Sequence, residues 1–144
     1  MNDSLVIKVV DWNDRQDVLK AIRKSVFIDE QHVPKELEWD GLDSDCIQFL
    51  ASFNSTPVAT ARLTPEGQIG RMAVLEAYRG KGIGSRLLAA VIEQAQQVGH
   101  KEVFLHAQVS VIGFYTHHGF TTEGEIFMDA GIRHQTMRLV FAEE

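Results

Sequence analysis

One cysteine, Cys46, is all the thiol chemistry this 144-residue chain carries. It cannot close an internal disulfide, which fits a reducing cytoplasm. Paired Cys or His at ligand spacing are also missing, so no metal site is expected. No apolar run approaches the roughly 20 residues that cross a membrane. The start, Met1-Asn2-Asp3-Ser4, has no basic patch leading into an apolar run, so no secretory leader is expected. Basic residues are in deficit: 14 Lys and Arg against 20 Asp and Glu give a net charge of −6. That argues against nucleic-acid binding, which needs a basic footprint. Repeats, low-complexity tracts and linker-like stretches are absent as well. The length suits one domain over residues 1–144, large enough to bury a core.

What the chain does have is a strand, a glycine-rich loop and the start of a helix, in residues 68–88. Gly80, Gly82 and Gly84 lack a Cβ, so the backbone there can turn sharply and approach a bulky ligand. The following helix aims its free N–H groups and the positive end of its dipole at the loop, a site suited to phosphate or pyrophosphate. Arg71, Arg79, Lys81 and Arg86 place four bases here against one acid, Glu76. The residues alone are equally compatible with an ordinary glycine turn. Charge of the other sign gathers at Glu36, Glu38, Asp40, Asp43 and Asp45. One basic loop and one acidic stretch could bring an anionic cofactor to a cationic substrate, or the acidic stretch could be a solvated loop.

Residues 5–10 are β-branched and short, a first strand. Asn13 or Asp14 can cap a helix over 14–28, in which Val18, Leu19, Ile22, Val26 and Phe27 recur at helical spacing. Residues 29–45 read as a long irregular connection broken by Pro34, with room for one helical turn near 34–38. Strands follow at 47–53, 58–63 and 68–74, the first two joined by a turn over 54–57, as an antiparallel meander. Ile83, Leu87, Leu88, Val91, Ile92 and Ala95 share one helix face, ended by Gly99. Residues 103–107 form a strand parallel to 68–74, because a helix connects the two. A short helix over 111–118 and a final hairpin, 120–128 with 132–141, complete a mixed α/β chain.

Arg79-Gly80-Lys81-Gly82-Ile83-Gly84 resembles the Gln/Arg-x-x-Gly-x-Gly/Ala motif of the GNAT superfamily of N-acetyltransferases, and stands where that family has it, after the fourth strand and opening the third helix. Gly113-Phe114-Tyr115-Thr116-His117-His118-Gly119-Phe120 is similar to the family's Phe-Tyr-x-x-x-Gly-Phe segment. The likeness spans nearly the whole chain. It implies a single central mixed sheet of about seven strands flanked by about four helices. A P-loop fits worse, because Leu75 stands where its first glycine belongs, and a dinucleotide fingerprint has different glycine spacing.

The resemblance implies acetyl-CoA as co-substrate. Backbone N–H groups of Arg79, Gly80, Lys81, Gly82, Ile83, Gly84 and Ser85 would hold its pyrophosphate. Met72, Ala73 and Val74 would pair with its pantetheine arm, a role compatible with core packing. The family reaction is direct attack of an amine on the thioester. An amine of pKa about 10.4 is neutral in only about 1 in 2,500 molecules at pH 7, so a proton must be removed. The leaving thiolate must also be stabilised. Tyr115 aligns with the tyrosine that is general acid in many relatives; the alternative is a ring packed in the core. An ordinary tyrosine is a weaker acid than a thiol, so a hydrogen bond to the developing thiolate describes its task better than full transfer. For the base, His106 lies opposite Leu105 on its strand and could face the cleft, or could be a structural histidine. Glu30 and Glu38 are alternatives on the substrate side, with Phe27. His117 and His118 are expected to face solvent or CoA, and His32, His100 and His134 give no signal.

Arg23-x-x-Val26-Phe27-x-x-Glu30-Gln31-x-Val33-Pro34 with Glu38-x-Asp40-x-x-Asp43 resembles a subgroup of small bacterial acetyltransferases with undefined substrates. Parts of it are similar to acyl-homoserine-lactone synthases, which are longer and lack the Arg-x-x-Gly-x-Gly loop. The main expectation is a cytoplasmic N-acetyltransferase acting on the primary amine of a small, cationic molecule. A lactone-synthase-like acyltransferase and a silent acyl-CoA-binding module are the alternatives. Relatives often form homodimers through their late strands.

Overall fold

The computed structural model describes residues 4–142. The leader expectation rests partly on Met1, Asn2 and Asp3, which lie outside the described residues, as do the last two of the residues 1–144 assigned to the domain. Seven strands make one sheet: β1 Leu5–Val10, β2 Ile47–Phe53, β3 Thr56–Leu63, β4 Gln68–Val74, β5 Glu102–Gln108, β6 Thr121–Asp129 and β7 Ile132–Val140. Their order is β1-β2-β3-β4-β5-β7-β6. Only β4 and β5 run parallel, as their helical connection requires. The helices are α1 Trp12–Arg23, α2 Lys35–Glu38, α3 Ile83–Gln97 and α4 Ile112–His117. A mixed α/β sheet with four helices is thus the fold.

Three local expectations need correction. The helix expected over 14–28 starts at Trp12 and ends at Arg23; Lys24–Glu30 continues as a π-helical segment. The extra residue per turn changes which side chains face the sheet, and helical spacing cannot show it. The returning strand begins at Thr56, not Val58, because Asn54 and Ser55 adopt positive φ (50° and 72°) and complete a two-residue hairpin turn. Pro57 sits within β3, beside a register shift at Ala51/Ser52 that spares it a ladder bond. The helix expected over 111–118 is α4, which spans Ile112–His117 and is entered through a 3-10 turn, Val109–Val111. The last hairpin turns at Ala130 and Gly131, both at positive φ, as its sequence leads one to expect.

Apolar residues cover both faces of the sheet. Leu87, Leu88, Val91 and Ala95 of α3 pack on Phe49, Ala61, Val103 and Leu105. On the opposite face, Leu19, Ile22 and Val26 pack on Leu50 and Ala73. What makes a site is the middle of the sheet. β4 and β5 pair only at Gln68↔Phe104 and Ile69↔Leu105, then part. The ladder between β3 and β4 shifts register between Arg62 and Thr60, leaving Arg71 and Met72 as a bulge, with Arg71 at φ 49°. The parted strands open a cleft of about 760 Å³.

Candidate active site

The donor half of the cleft is built on the end of β4. Met72, Ala73 and Val74 line it, and Arg79 Nε donates to Val74 O at 3.0 Å, folding the loop back onto the strand. Gly80 and Gly82 hold φ near 80°, where other residues are strained. A Cβ on either would meet nothing within 4 Å, so the glycines serve the backbone shape and leave the space beside it open. The first N–H groups of α3, at Ile83, Gly84 and Ser85, have no intrahelical acceptor and face that space with the helix dipole behind them.

The positive charge around the loop is thinner than its four bases suggest. Arg79 is held in a two-pronged ion pair with Glu30, both contacts at 2.7 Å. Arg71 points away into an acidic network. Lys81 and Arg86 are exposed and have no ion-pair partner among the described residues. Glu30 is committed to Arg79, whose hydrogen bond holds its carboxyl below the usual range.

Tyr115 stands between the halves, on α4. Its hydroxyl points to Met72 Sδ at 3.9 Å, and its ring meets Phe114 and Phe120 edge-on. Burial with no charge beside it pushes the hydroxyl up to about 12. His118 Nε2 lies 3.1 Å from Ser85 Oγ, tying α4 to the first turn of α3. His117 is exposed.

The other half of the cleft, the candidate acceptor side, lies between the π-helical segment and β5. Phe27, Gln31, Val33, Leu37 and Glu38 line one side, His106, Gln108 and His134 the other. Gln108 Nε2 donates to Gln31 Oε1 at 2.8 Å across the opening. His106 is exposed, edge-on to Phe127 at 5.1 Å. Partial burial lowers its pKa, His134 acts the same way and Asp129 opposes. Sequence reasoning missed Gln31, Gln108 and His134. A signal existed: Phe104, His106 and Gln108 alternate with the buried Val103, Leu105 and Ala107, marking one polar face of β5.

Glu38, an expected substrate-side residue, is 2% exposed and receives Arg23 Nε at 2.7 Å, with Arg71 Nε 3.1 Å away. Burial raises its pKa against the pull of Arg71 and Arg23. Asp43 bonds Arg23 (2.6 Å) and Arg62 (3.0 Å), and Asp40 pairs with Arg62 and Arg71. Trp39 and Trp12 cover Arg23 at 5.1 and 5.7 Å. The acidic stretch is therefore neither a solvated loop nor a free cation site. Three of its five carboxylates neutralise Arg23, Arg62 and Arg71 beneath the cleft.

A family model described as an acetyltransferase (GNAT) domain matches residues 13–141. The chain belongs to the GNAT acetyltransferase family. Its relatives agree. A candidate acetyltransferase of Bacillus subtilis (strain 168) is 37% identical over 122 residues, 81% of this chain and 83% of that protein. The ElaA protein of Escherichia coli (strain K12) is 32% identical over 124 residues, 81% of each chain. The crystal structure of E. coli ElaA superposes with a TM-score of 0.83 at 28% identity, covering 94% of this chain and 99% of ElaA. An acyl-CoA N-acyltransferase structure from Pseudomonas aeruginosa gives 0.79 at 28% identity, over 95% and 99%. This GNAT domain is an acyl-CoA-dependent acyltransferase. Among its described residues, no helix is long and apolar enough to cross a membrane.

Proposed function

We propose that the protein transfers an acetyl group from acetyl-CoA to the primary amine of a small molecule, by direct attack of the amine on the thioester. The observation that carries this is the continuity of one cleft from the N-terminus of α3, past Tyr115, to His106 and Gln31. In this reading, N–H groups from Arg79 to Ser85 bind the pyrophosphate. Met72, Ala73 and Val74 extend the parted edge of β4 to the amides of the pantetheine arm. Tyr115 hydrogen-bonds the departing thiolate. At about 12 its hydroxyl is some 3.5 units above an ordinary thiol, so full proton transfer would be uphill by about 5 kcal/mol. His106 lines the acceptor half, its pKa lowered by partial burial. Phe27 forms an apolar wall, while Glu30 and Glu38 act through Arg79 and Arg71 rather than on the acceptor.

The acceptor's charge has less support than its amine. Glu38, Asp40 and Asp43 are already paired, which leaves Asp129 at the cleft rim as an acid without an ion-pair partner among the described residues. The same pairing gives the likeness to lactone synthases a structural meaning: the shared acids anchor arginines. Residues 1–144 are read as one cytoplasmic domain, and β6, an edge strand exposing Ile126 and Met128, as the surface for a homodimer. Thiol release from acetyl-CoA, followed across a panel of amines, tests the reading. Release that depends on an amine and yields acetylated product supports it. Tight acetyl-CoA binding without release would instead mark a silent binding module.

A further inference from the structure

We propose that His134, on β7, takes the proton from the acceptor amine. The proposal rests on the N-acetyltransferase reading above and adds a base to it. His134 Nδ1 lies 2.8 Å from Ile132 O. A carbonyl only accepts, so Nδ1 carries a proton. The neutral ring must then hold its lone pair on Nε2. The residue is 9% exposed, and its ring is stacked on Phe127, centroids 5.9 Å apart at 22°. One hydrogen bond and one stacking contact fix both tautomer and direction. His134 nevertheless lines the cleft, and Nε2 has no hydrogen-bond partner among the described residues.

Strand register places it correctly. His134 is opposite Gln108, and Thr136 is opposite His106. Directly paired residues share a sheet face, so His134, Gln108 and His106 look out on the same side, the acceptor side. His106 lacks the features that orient a base. It is exposed, neither ring nitrogen has a hydrogen-bond partner among the described residues, and its ring is steadied by aromatic contacts alone, with Phe127 at 5.1 Å and Phe104 at 6.3 Å. The ionisable groups around His134 are His106 from β5, Asp129 at the end of β6, and Glu38 and Arg71 across the cleft.

The step balances as follows. The ammonium gives one proton to His134 Nε2, directly or through water. The neutral nitrogen attacks the thioester carbon, a C–N bond forms and the C–S bond breaks. The nitrogen releases its second proton to solvent, and the thiolate, hydrogen-bonded by Tyr115, takes one from solvent. Histidine returns its proton to solvent, so each turnover yields amide, CoA thiol and one free proton.

The test compares amines rather than variants alone. His134→Asn keeps a donor near Ile132 O and removes the Nε2 acceptor; His134→Gln offers a polar end near the Nε2 position instead. With an amine that is protonated at the assay pH, both should lower kcat by about a hundredfold while the acetyl-CoA KM stays within about twofold. With a weakly basic amine, already neutral at that pH, the loss should shrink to about tenfold or less. His106→Gln should cost less than either on the protonated amine. Wild-type turnover in the His134 variants, or an equal loss on both amine classes, overturns the proposal. If the wild-type protein releases no thiol with any amine, the transferase reading and this proposal fall together. An active wild type with indifferent His134 variants defeats this proposal alone.

Discussion

Single side chains in this protein can be told apart by what they would cost to lose. Tyr115→Phe removes the hydroxyl that lies beside Met72 in the cleft. It should lower kcat by about a hundredfold with little change in acetyl-CoA KM; steady-state kinetics would show it, and unchanged turnover would take Tyr115 out of the chemistry. Because burial pushes its hydroxyl up to about 12, an alkaline fall in rate near the ordinary tyrosine value of about 10 would belong to another group. Two loop glycines separate backbone need from space. Gly82 holds φ 80° with open surroundings, so Gly82→Ala should cost about 1 kcal/mol through backbone strain. Gly84 has helical geometry and a Cβ there would stand 3.6 Å from Phe114 Cζ, an ordinary contact, so Gly84→Ala should leave thermal stability nearly unchanged. Asp40 supplies a pH test. Burial alone would raise it, but bonds from Arg62 and the Leu42 N–H win and bring it down to about 2. A depressed carboxyl stabilises the fold above its unfolded value of about 3.8 and loses that contribution as pH falls towards 2. Asp40 is partly solvated, so the contribution is discounted to about 1 kcal/mol, and Asp40→Asn should lose that much at pH 7 and far less at pH 2. Acid titration of the unfolding free energy would show the two proteins converging.

Among the elements, the π-helical segment Lys24–Glu30 organises the acceptor side. Arg23 anchors its start through Glu38 and Asp43, Glu30 ties its end to Arg79, and the adjoining Gln31 reaches Gln108. These ties differ in environment, and that sets their worth. Arg23 is fully buried, so Arg23→Ala takes one of two arginines from each of Glu38 and Asp43, leaves a buried void, and should cost about 3–5 kcal/mol. The Glu30–Arg79 pair is partly exposed, so Glu30→Ala should cost under about 1 kcal/mol. Denaturant melts of the two variants check the contrast; equal losses would mean that the buried network is not what holds the segment. The periodicity of Val18, Leu19, Ile22 and Val26 made α1 legible in the sequence. The widening at Lys24 was not, because one extra residue per turn leaves the apolar spacing nearly intact. Nor could spacing reveal the ion network, since residues 23, 38, 43, 62 and 71 lie on five separate elements and meet only when these pack together.

At the scale of the molecule, the shape of the candidate donor loop was legible because its parts are contiguous. A strand, Gly80 to Gly84 and the opening of α3 occupy one short stretch, and local rules determine their shape. The acceptor site was not, because it arises from the parting of β4 and β5 and from β7 returning between β5 and β6. His106 could be proposed from alternation within β5, whereas His134 enters only through its register with Gln108. The acidic stretch misled for a related reason: its partners Arg23, Arg62 and Arg71 lie on other elements. In the proposed function the two halves form one reaction path from donor to amine. Its most direct test is thiol release from acetyl-CoA with wild-type protein and a panel of primary amines, with the products identified by mass. The account predicts amine-dependent release, one thiol for each acetylated amine. Saturable acetyl-CoA binding with no amine-dependent thiol from any member of the panel would contradict it.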